Sequence, residues 1–166
     1  MSVEFVIATI QDVPYITKVY NATVPSHMIA ADLDPITISE QEKWFKEHSP
    51  NRRPVWVMKV NKENAGWVSL SNFDSRAAYN NTAEISIYID ENHRGQGLGT
   101  KALDFIAKEA KHVNVTSVMA MIYGHNLPSQ KLFKKVGYEQ WGKLPRIAKM
   151  DNQRYDLLVY GKNFEE

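Results

Sequence analysis

Three closely spaced glycines form the part of the sequence best suited to chemistry. The segment Arg94-Gly95-Gln96-Gly97-Leu98-Gly99 follows an alternating apolar run and precedes an amphipathic one. A strand that enters a glycine-rich turn and then a helix leaves backbone N–H groups unpaired at the helix N-terminus, where the helix dipole also favours negative charge. Glycine lets an anion approach the backbone closely because no Cβ intervenes. The segment therefore favours binding of a phosphate group, although a plain surface turn has the same composition.

Two common phosphate-binding motifs do not fit this loop. A Walker A loop needs Gly-Lys followed by Ser or Thr, whereas Gly99-Thr100-Lys101 breaks that order. A dinucleotide fingerprint needs a third glycine where Thr100 stands, and an acidic residue at the end of the next strand, where Ile122 and Tyr123 stand. Neither an NTPase nor a dinucleotide-binding domain is predicted, and the spacing Arg94-x-x-Gly97-x-Gly99 remains.

The elements around this loop predict an α/β domain with a mixed sheet. The run 84–89 alternates strictly, with Ile on one face and Glu, Ser and Tyr on the other, which is typical of a half-buried strand. Other strands are predicted at 3–7, 55–60, 66–70, 115–123 and 154–161, with a hairpin turn at 61–64. Helices are predicted from Val13 to about Asn21, over 37–48, after the glycine loop (buried stripe Leu98, Ala102, Leu103, Ile106 and Ala110), and over 128–136 before Gly137.

Composition limits the classes of protein that this chain can represent. The 166 residues are 43% hydrophobic and 23% charged, and we expect one folded domain over residues 1–166. A net charge of +1 gives no general attraction to nucleic acid or to a membrane, so we expect neither as a partner. Without Cys there is no thiolate nucleophile or thiolate metal site. The start of the chain lacks the pattern of a signal peptide, which predicts a cytoplasmic protein.

Four segments in order resemble the GNAT superfamily of N-acetyltransferases, in its phosphinothricin or methionine sulfoximine acetyltransferase branch. The resemblance is carried by 82–89, by the glycine loop with Asn92 and His93, by His125-Asn126-Leu127-Pro128-Ser129, and by 132–138. It implies a GNAT fold, in which helices flank a mixed central sheet and a V-shaped opening separates the fourth and fifth strands. It also implies transfer of an acetyl group from acetyl-CoA to the amine of a small amino-acid-like acceptor, by direct attack in a ternary complex. A homodimer is implied as well.

The resemblance assigns residues to the binding of acetyl-CoA. The pyrophosphate is expected on the backbone from Gly95 to Thr100, and the pantetheine arm beside the backbone of Ile87, Tyr88 and Ile89. Asn126 matches the residue that hydrogen-bonds this arm, although Asn before Pro128 also suits a turn. The full predicted set is Ile87, Tyr88, Ile89, Arg94, Gly95, Gln96, Gly97, Leu98, Gly99, Thr100, Asn126 and Ser129.

Glu84 matches the carboxylate that acts as general base in this branch. An α-amino group has a pKa of about 7.7 to 8.0, so most of it is protonated at neutral pH and cannot attack a thioester. A partly buried Glu with a raised pKa accepts that proton directly or through water. The alternative is a solvated residue on the polar face of the strand.

The residues that would bind the acceptor match the family less completely. Arg76 lies in a segment like the branch's substrate loop, where a guanidinium would hold a carboxylate, but a single Arg in a polar loop is usually a surface residue. Phe133 stands where the family has His or Tyr, so no proton can be exchanged there and the general acid stays open. Tyr88 and Phe133 are predicted to face the acceptor. His27, Met28 and Trp67 either line the pocket or belong to the core.

Three functions remain open from the sequence. The first is the acetyltransferase described above, and the second is a GNAT enzyme that acts on a polyamine, an antibiotic or a protein N-terminus. The third is an acyl-CoA-binding module without turnover, which Phe133 favours and Glu84 opposes. His93, His112 and His125 lack the spacing of metal ligands, so no metal is predicted.

Overall fold

The computed structural model describes residues 1–164, which form one seven-stranded sheet flanked by four α-helices. The strands are β1 (Val3–Ile7), β2 (Val55–Val60), β3 (Glu63–Asn72), β4 (Thr82–Ile89), β5 (Ser117–Tyr123), β6 (Glu139–Met150) and β7 (Gln153–Asn163). The helices are α1 (Val13–Thr23), α2 (Ile38–Lys46), α3 (Leu98–Glu109) and α4 (Leu127–Lys135). The strand order is β1-β2-β3-β4-β5-β7-β6, in which only β4 and β5 are parallel neighbours. The predicted mixed sheet is confirmed.

The hairpin between β2 and β3 is tighter than the sequence predicts. Of the four residues 61–64 predicted as the turn, Asn61 and Lys62 have positive φ angles of 49° and 73°, whereas Glu63 and Asn64 already pair with β2. Two residues with positive φ make the turn whose twist matches that of the flanking strands. β3 therefore begins at Glu63, before the predicted 66–70 segment. It also extends beyond that segment to Asn72.

The two faces of the sheet follow the alternation of β4. Ile85 and Ile87 pack with Leu103 and Ile106 of α3 on one face. On the other face Tyr88 packs beside Trp67 and the residues of α1. Glu84, two steps of the alternation away from Tyr88, therefore points toward the α1 and α2 side.

β6 is a strand that the sequence analysis missed, so the prediction of six strands was wrong. It pairs with β7 alone, and register shifts interrupt the pairing between Gln140 and Gly142 and between Leu144 and Ala148. Pro145 lies in the second interruption, where its missing N–H breaks no regular pairing. Most of the strand is exposed, so no inward-facing apolar alternation marks it in the sequence.

β4 and β5 pair only at their first residues and then separate. The paired positions are Thr82 with Ser117, Ala83 with Val118, and Glu84 with Met119. Beyond Glu84 the side of β4 that faces β5 has no strand beside it. This fork is the predicted V-shaped opening between the fourth and fifth strands, and Glu84 lies where it begins.

Candidate active site

A cavity of about 580 Å3 occupies the fork between β4 and β5. Its walls are the separated parts of both strands, and the glycine loop and the start of α4 close it at one end. The structure brings together on its lining most of the predicted site residues: Ile87, Tyr88, Ile89, Arg94, Gly95, Gly97, Leu98, Gly99, Thr100, Asn126, Ser129 and Phe133. Gln96, Glu84 and Arg76 are not on the lining, and the first of these is an exposed member of the loop.

The glycine loop has the backbone shape that an anion needs. Gly95 and Gly97 have φ angles of 76° and 74°, which residues with a Cβ adopt only with strain. A Cβ built on either glycine meets nothing within 4 Å, so the space beside both is open. Gly97 is the N-cap of α3 and supplies no side chain to the free N–H groups of the first turn. These groups are left for a bound anion, and the pyrophosphate of CoA fits this cradle.

Gly99 has a different reason to be glycine. A Cβ at this position would lie 2.7 Å from Cδ2 of Leu132, which is too close for two carbon atoms. The residue therefore allows α3 to approach α4, and its contribution to the cavity is this close packing. Arg94, in contrast, is exposed on the cavity rim, and within residues 1–164 its guanidinium has no hydrogen-bond or ion-pair partner. Its charge is available to an anion in the loop.

The separated part of β4 offers an unpaired strand edge to an extended ligand. Backbone groups of a half-buried strand need partners, and an extended chain laid beside β4 supplies them. The segment from Glu84 to Ile89 spans five residue steps, which corresponds to about 17 Å of extended strand. The fork thus has room for a long narrow ligand, with the glycine loop at one end and Glu84 near the other.

Asn126 is both a helix cap and a tether. Its Oδ1 accepts a hydrogen bond from the backbone N–H of Ser129 at 3.2 Å, as an N-cap residue does. Its Nδ2 donates to the carbonyl oxygen of Met28 at 3.1 Å, which fixes the loop after α1 against the start of α4. The turn role that the sequence allowed is therefore present, and the residue also lines the cavity.

Glu84 is half-buried at the base of the fork. Burial raises its pKa, and no cationic side chain opposes that shift. Its neighbours across β3 and β5 are Ser71 and Met119. A carboxyl group in such surroundings binds a proton more readily than a solvated one, as a general base for an amine requires.

Aromatic side chains cluster on the α1 side of β4. Tyr88 stacks on Trp67 with ring centroids 4.7 Å apart and lies 5.2 Å from the ring of Tyr20. The Tyr20 hydroxyl donates to the Asp32 carboxylate, and burial, followed by the nearby Asp32 charge, raises the pKa of Tyr123. Sequence reasoning gave Tyr20, Asp32 and Tyr123 no role in the site, because their proximity depends on the loop after α1 and the end of β5.

Some of the other predicted pocket residues line the cavity, and the others hold neighbouring segments in place. Met28 and Tyr88 line the cavity, whereas Trp67 is buried behind Tyr88. Nε2 of His27 lies 2.7 Å from Oδ2 of Asp151 in the β6–β7 turn. The His27 carbonyl oxygen is 2.7 Å from Nε2 of His125, so the loop after α1 is held from two sides.

Phe133 lies on the cavity lining with its side chain almost fully buried. Its ring meets that of Tyr138 edge to face at 5.0 Å. The Tyr138 hydroxyl is buried and has no hydrogen-bond partner among the described residues. Phe133 thus continues the apolar packing of α4 into the cavity and offers no proton.

Arg76 is engaged by its neighbour Asp74. Its Nε and one Nη each donate to one Asp74 carboxylate oxygen at 2.9 Å, and the guanidinium lies 5.4 Å from the centre of the Tyr79 ring. The side chain is 75% exposed and lies outside the cavity lining. An acceptor carboxylate would have to compete with Asp74 for the same fork of donors.

The described residues contain neither a metal-binding cluster nor a membrane-spanning helix. Within residues 1–164 no three His, Asp or Glu side chains converge as metal ligands would. No helix of this part of the chain is long and apolar enough to cross a bilayer.

Comparison with known proteins identifies the fold and the chemistry together. The family described as "Acetyltransferase (GNAT) family" matches residues 16–138, which include the fork and the glycine loop. The chain belongs to the GNAT acetyltransferase family. The predicted fold and enzyme class are thereby confirmed, and the GNAT assignment makes acetyl-CoA the co-substrate.

Individual relatives confirm the predicted branch of the GNAT family. It is 43% identical to "Putative phosphinothricin acetyltransferase YwnH" of Bacillus subtilis, over 92% of this chain and 93% of the relative. It is 24% identical to the L-methionine sulfoximine/L-methionine sulfone acetyltransferase of Pseudomonas aeruginosa, over 95% and 92%. The GNAT phosphinothricin acetyltransferase of Sinorhizobium meliloti, solved in complex with AcCoA, shares the fold at a TM-score of 0.91 and 23% identity, over 100% and 90%.

Proposed function

We propose that this GNAT enzyme acetylates the amine of a small amino-acid-like acceptor of the phosphinothricin or methionine sulfoximine type. The observation that carries the proposal is the fork between β4 and β5, which joins an anion cradle at one end to a half-buried carboxyl group at the other. The names of the relatives support this acceptor class.

Acetyl-CoA supplies an activated acetyl group when it is bound. The free N–H groups of the first turn of α3 and the Arg94 charge hold its pyrophosphate, with Gly95 and Gly97 giving the space. The backbone of Ile87, Tyr88 and Ile89 aligns the extended arm, and Ser129 and Asn126 border it at α4. Gln96 contributes through its backbone, because its side chain is not on the cavity wall.

Glu84 removes the proton from the acceptor ammonium at the base of the fork. The freed amine would then attack the thioester carbon directly in the ternary complex, so that the C–N bond forms, the C–S bond breaks and CoA leaves as the thiolate. As the amide forms, the nitrogen gives up its second proton, and this proton restores the acid that has protonated the thiolate. The acid that protonates this thiolate is not Phe133, and in its place we propose Tyr123, one of several hydroxyl-bearing residues on the cavity lining. A thiol with a pKa near 8.5 needs only modest help from an acid.

Binding of the acceptor is proposed for Tyr88, Phe133 and Arg76. Tyr88 and Phe133 face the cavity, which supports their role. Arg76 supports the proposal less directly, because its ion pair with Asp74 must open for a carboxylate to bind.

A release assay for CoA thiol with a panel of amines tests the function. The panel contains methionine sulfoximine, phosphinothricin, a polyamine, an aminoglycoside and a short peptide. Preferred turnover of the two amino-acid analogues is expected. Preferred turnover of another amine would move the enzyme to a different GNAT acceptor class, and binding of acetyl-CoA without any turnover would favour the non-catalytic module.

We also propose that the protein is a cytoplasmic homodimer. The exposed edge strand β6 supports assembly, because it carries the apolar side chains of Trp141, Leu144 and Ile147 in water. Light scattering after size exclusion measures the mass, and a monomer at micromolar concentration would contradict the dimer.

A further inference from the structure

His48 and Ser71 form a hydrogen-bonded pair beside Glu84 that the reaction as described does not use. Nδ1 of His48 lies 2.8 Å from the carbonyl oxygen of Trp44, and its Nε2 lies 2.8 Å from Oγ of Ser71. A carbonyl oxygen can only accept, so Nδ1 carries the ring proton. In the neutral ring Nε2 is then an acceptor, and the Ser71 hydroxyl donates its single proton to it.

Ser71 is the direct partner of Glu84 in the antiparallel register of β3 and β4. Directly opposite residues share one face of the sheet, with Cβ atoms about 4.5 to 5.5 Å apart. The Ser71 oxygen, whose proton is already given to His48, has only lone pairs left for Glu84. It can accept a hydrogen bond from a protonated carboxyl group, but it cannot donate one to a carboxylate.

We propose that His48, acting through Ser71, is a positioning residue that fixes the direction of this hydroxyl and thereby strengthens Glu84 as a base. The inference rests on the proposed function, in which Glu84 accepts the proton of the acceptor. It adds a hydrogen-bond cause to the burial that already raises the pKa of Glu84. Burial also lowers the pKa of His48, which favours the neutral ring whose Nε2 can accept.

The surroundings of the pair leave few other groups to produce the same effect. The titratable or charged side chains nearest the pair are Glu47 beside His48, Arg52 and Arg53 before β2, and Tyr88 on the same face of β4 as Glu84, and Arg52 is engaged by Asn72. The helix α2 also carries Glu40, Glu42, Lys43 and Lys46. Arg53 donates to the carbonyl oxygens of Arg52 and Asn80. The Ser69 hydroxyl, on the same face of β3, is fully buried and lies opposite Ser86 instead of Glu84.

The first test measures the His48 tautomer in the wild-type protein without ligand. Long-range 1H–15N correlation distinguishes the Nδ1-protonated ring from the Nε2-protonated ring and from imidazolium. At pH 7 we expect the Nδ1-protonated neutral form. An Nε2-protonated ring or an imidazolium at this pH would overturn the inference, whatever the variants do.

The second test follows the Glu84 carboxyl carbon by 13C NMR against pH in the ligand-free protein. His48→Phe keeps an aromatic ring where the imidazole packs at a tilt against Trp44, with ring centroids 4.4 Å apart, but it removes the acceptor, which frees the Ser71 hydroxyl to turn to Glu84. We expect the Glu84 pKa to fall, because a hydroxyl that donates to a carboxylate favours its charged form. In the Ser71→Ala background, His48→Phe should cause no further fall. Ser69→Ala removes a buried hydroxyl from the same face two residues away, and should leave the Glu84 pKa unchanged.

Activity gives a separate readout. The acid limb of the pH profile of kcat/KM should move to lower pH by the same amount in His48→Phe, with KM for acetyl-CoA unchanged. An unchanged Glu84 titration in a folded His48→Phe protein, or an equal fall in the Ser71→Ala background, would overturn the inference. Failure of the wild-type enzyme to acetylate any amine, with the NMR shift present, would instead overturn the proposed function.

Discussion

Glu84 lies in a position that is unfavourable for a charged carboxylate, and this position suits it to act as a base. A base for an ammonium needs a raised pKa, and half-burial at the base of the fork provides it. If Glu84 is the base, Glu84→Gln should lower kcat by about 10² to 10⁴ near neutral pH and leave acetyl-CoA affinity nearly intact.

The pH dependence of that loss identifies its cause. Above the pKa of the amine the nucleophile arrives deprotonated, so the defect in Glu84→Gln should shrink at alkaline pH. Steady-state kinetics from pH 6 to 10 measure it. Glu139→Gln, on exposed β6, is the matched control and should behave as wild type. Normal turnover of Glu84→Gln at pH 7 would remove Glu84 from the mechanism.

The same burial predicts a gain in stability for the inactive variant. A carboxyl group whose folded pKa is raised favours the folded state when protonated, and this contribution is lost as pH rises through the folded pKa. Gln does not titrate, so Glu84→Gln should have a higher Tm than wild type at pH 7. The difference should vanish below about pH 4, where Glu84 is protonated in both folded and unfolded states. Thermal unfolding across this range measures it, and a lower Tm at pH 7 would contradict the pKa shift.

Two tyrosine variants test whether Tyr123 is the acid that protonates the CoA thiolate. Tyr123 lines the cavity, whereas Tyr138 lies behind Phe133 with its hydroxyl buried and unpaired among the described residues. Tyr123→Phe should lower kcat by about tenfold, which is below the usual range of about 10² to 10⁴ for a positioned acid because a thiolate leaves with only modest acid help. Tyr138→Phe removes an unsatisfied buried hydroxyl, so it should leave kcat unchanged and keep or raise the Tm. Equal kinetics for the two variants would exclude Tyr123 as the acid.

At the scale of elements, the turn into α3 decides how the cofactor is held. Gly97 has a positive φ, so a test of its open space needs a side chain that tolerates this conformation. Asn is such a residue. We expect Gly97→Asn to weaken acetyl-CoA binding at least tenfold with little change in Tm, because its side chain enters the pyrophosphate cradle.

Gly137 provides the control for that substitution. It follows α4 with φ of 94°, away from the cavity lining. Gly137→Asn should therefore leave acetyl-CoA affinity as in wild type, as measured by calorimetry. If Gly97→Asn also bound acetyl-CoA normally, the loop would be a turn and not a cradle.

The whole molecule should respond to its ligand by mass action. A ligand that binds only the folded state stabilises it by RT ln(1 + [L]/Kd), so the Tm should rise steadily with acetyl-CoA concentration. NAD and ATP, whose motifs the glycine loop does not match, should give no comparable rise at the same concentrations. A thermal scan without any shift at millimolar acetyl-CoA would contradict the binding site proposed in the fork.

The sequence by itself determined the local features. Alternation in β4 placed Glu84 opposite the Ile face, and the glycine spacing marked the turn into α3, because both depend on residues close in the chain. The family resemblance then connected these local features to one enzyme class.

Tertiary structure decided what depends on distant segments. The separation of β4 from β5 after Glu84, the pairing of Ser71 with His48, and the meeting of Tyr123 with Asp32 bring together residues tens of positions apart. The periodic pattern of apolar residues along the sequence reports local structure and contains no information on such distant contacts. β6 escaped sequence reasoning for a related reason: an exposed edge strand with interrupted register is fixed by its partner β7, and not by an apolar face of its own.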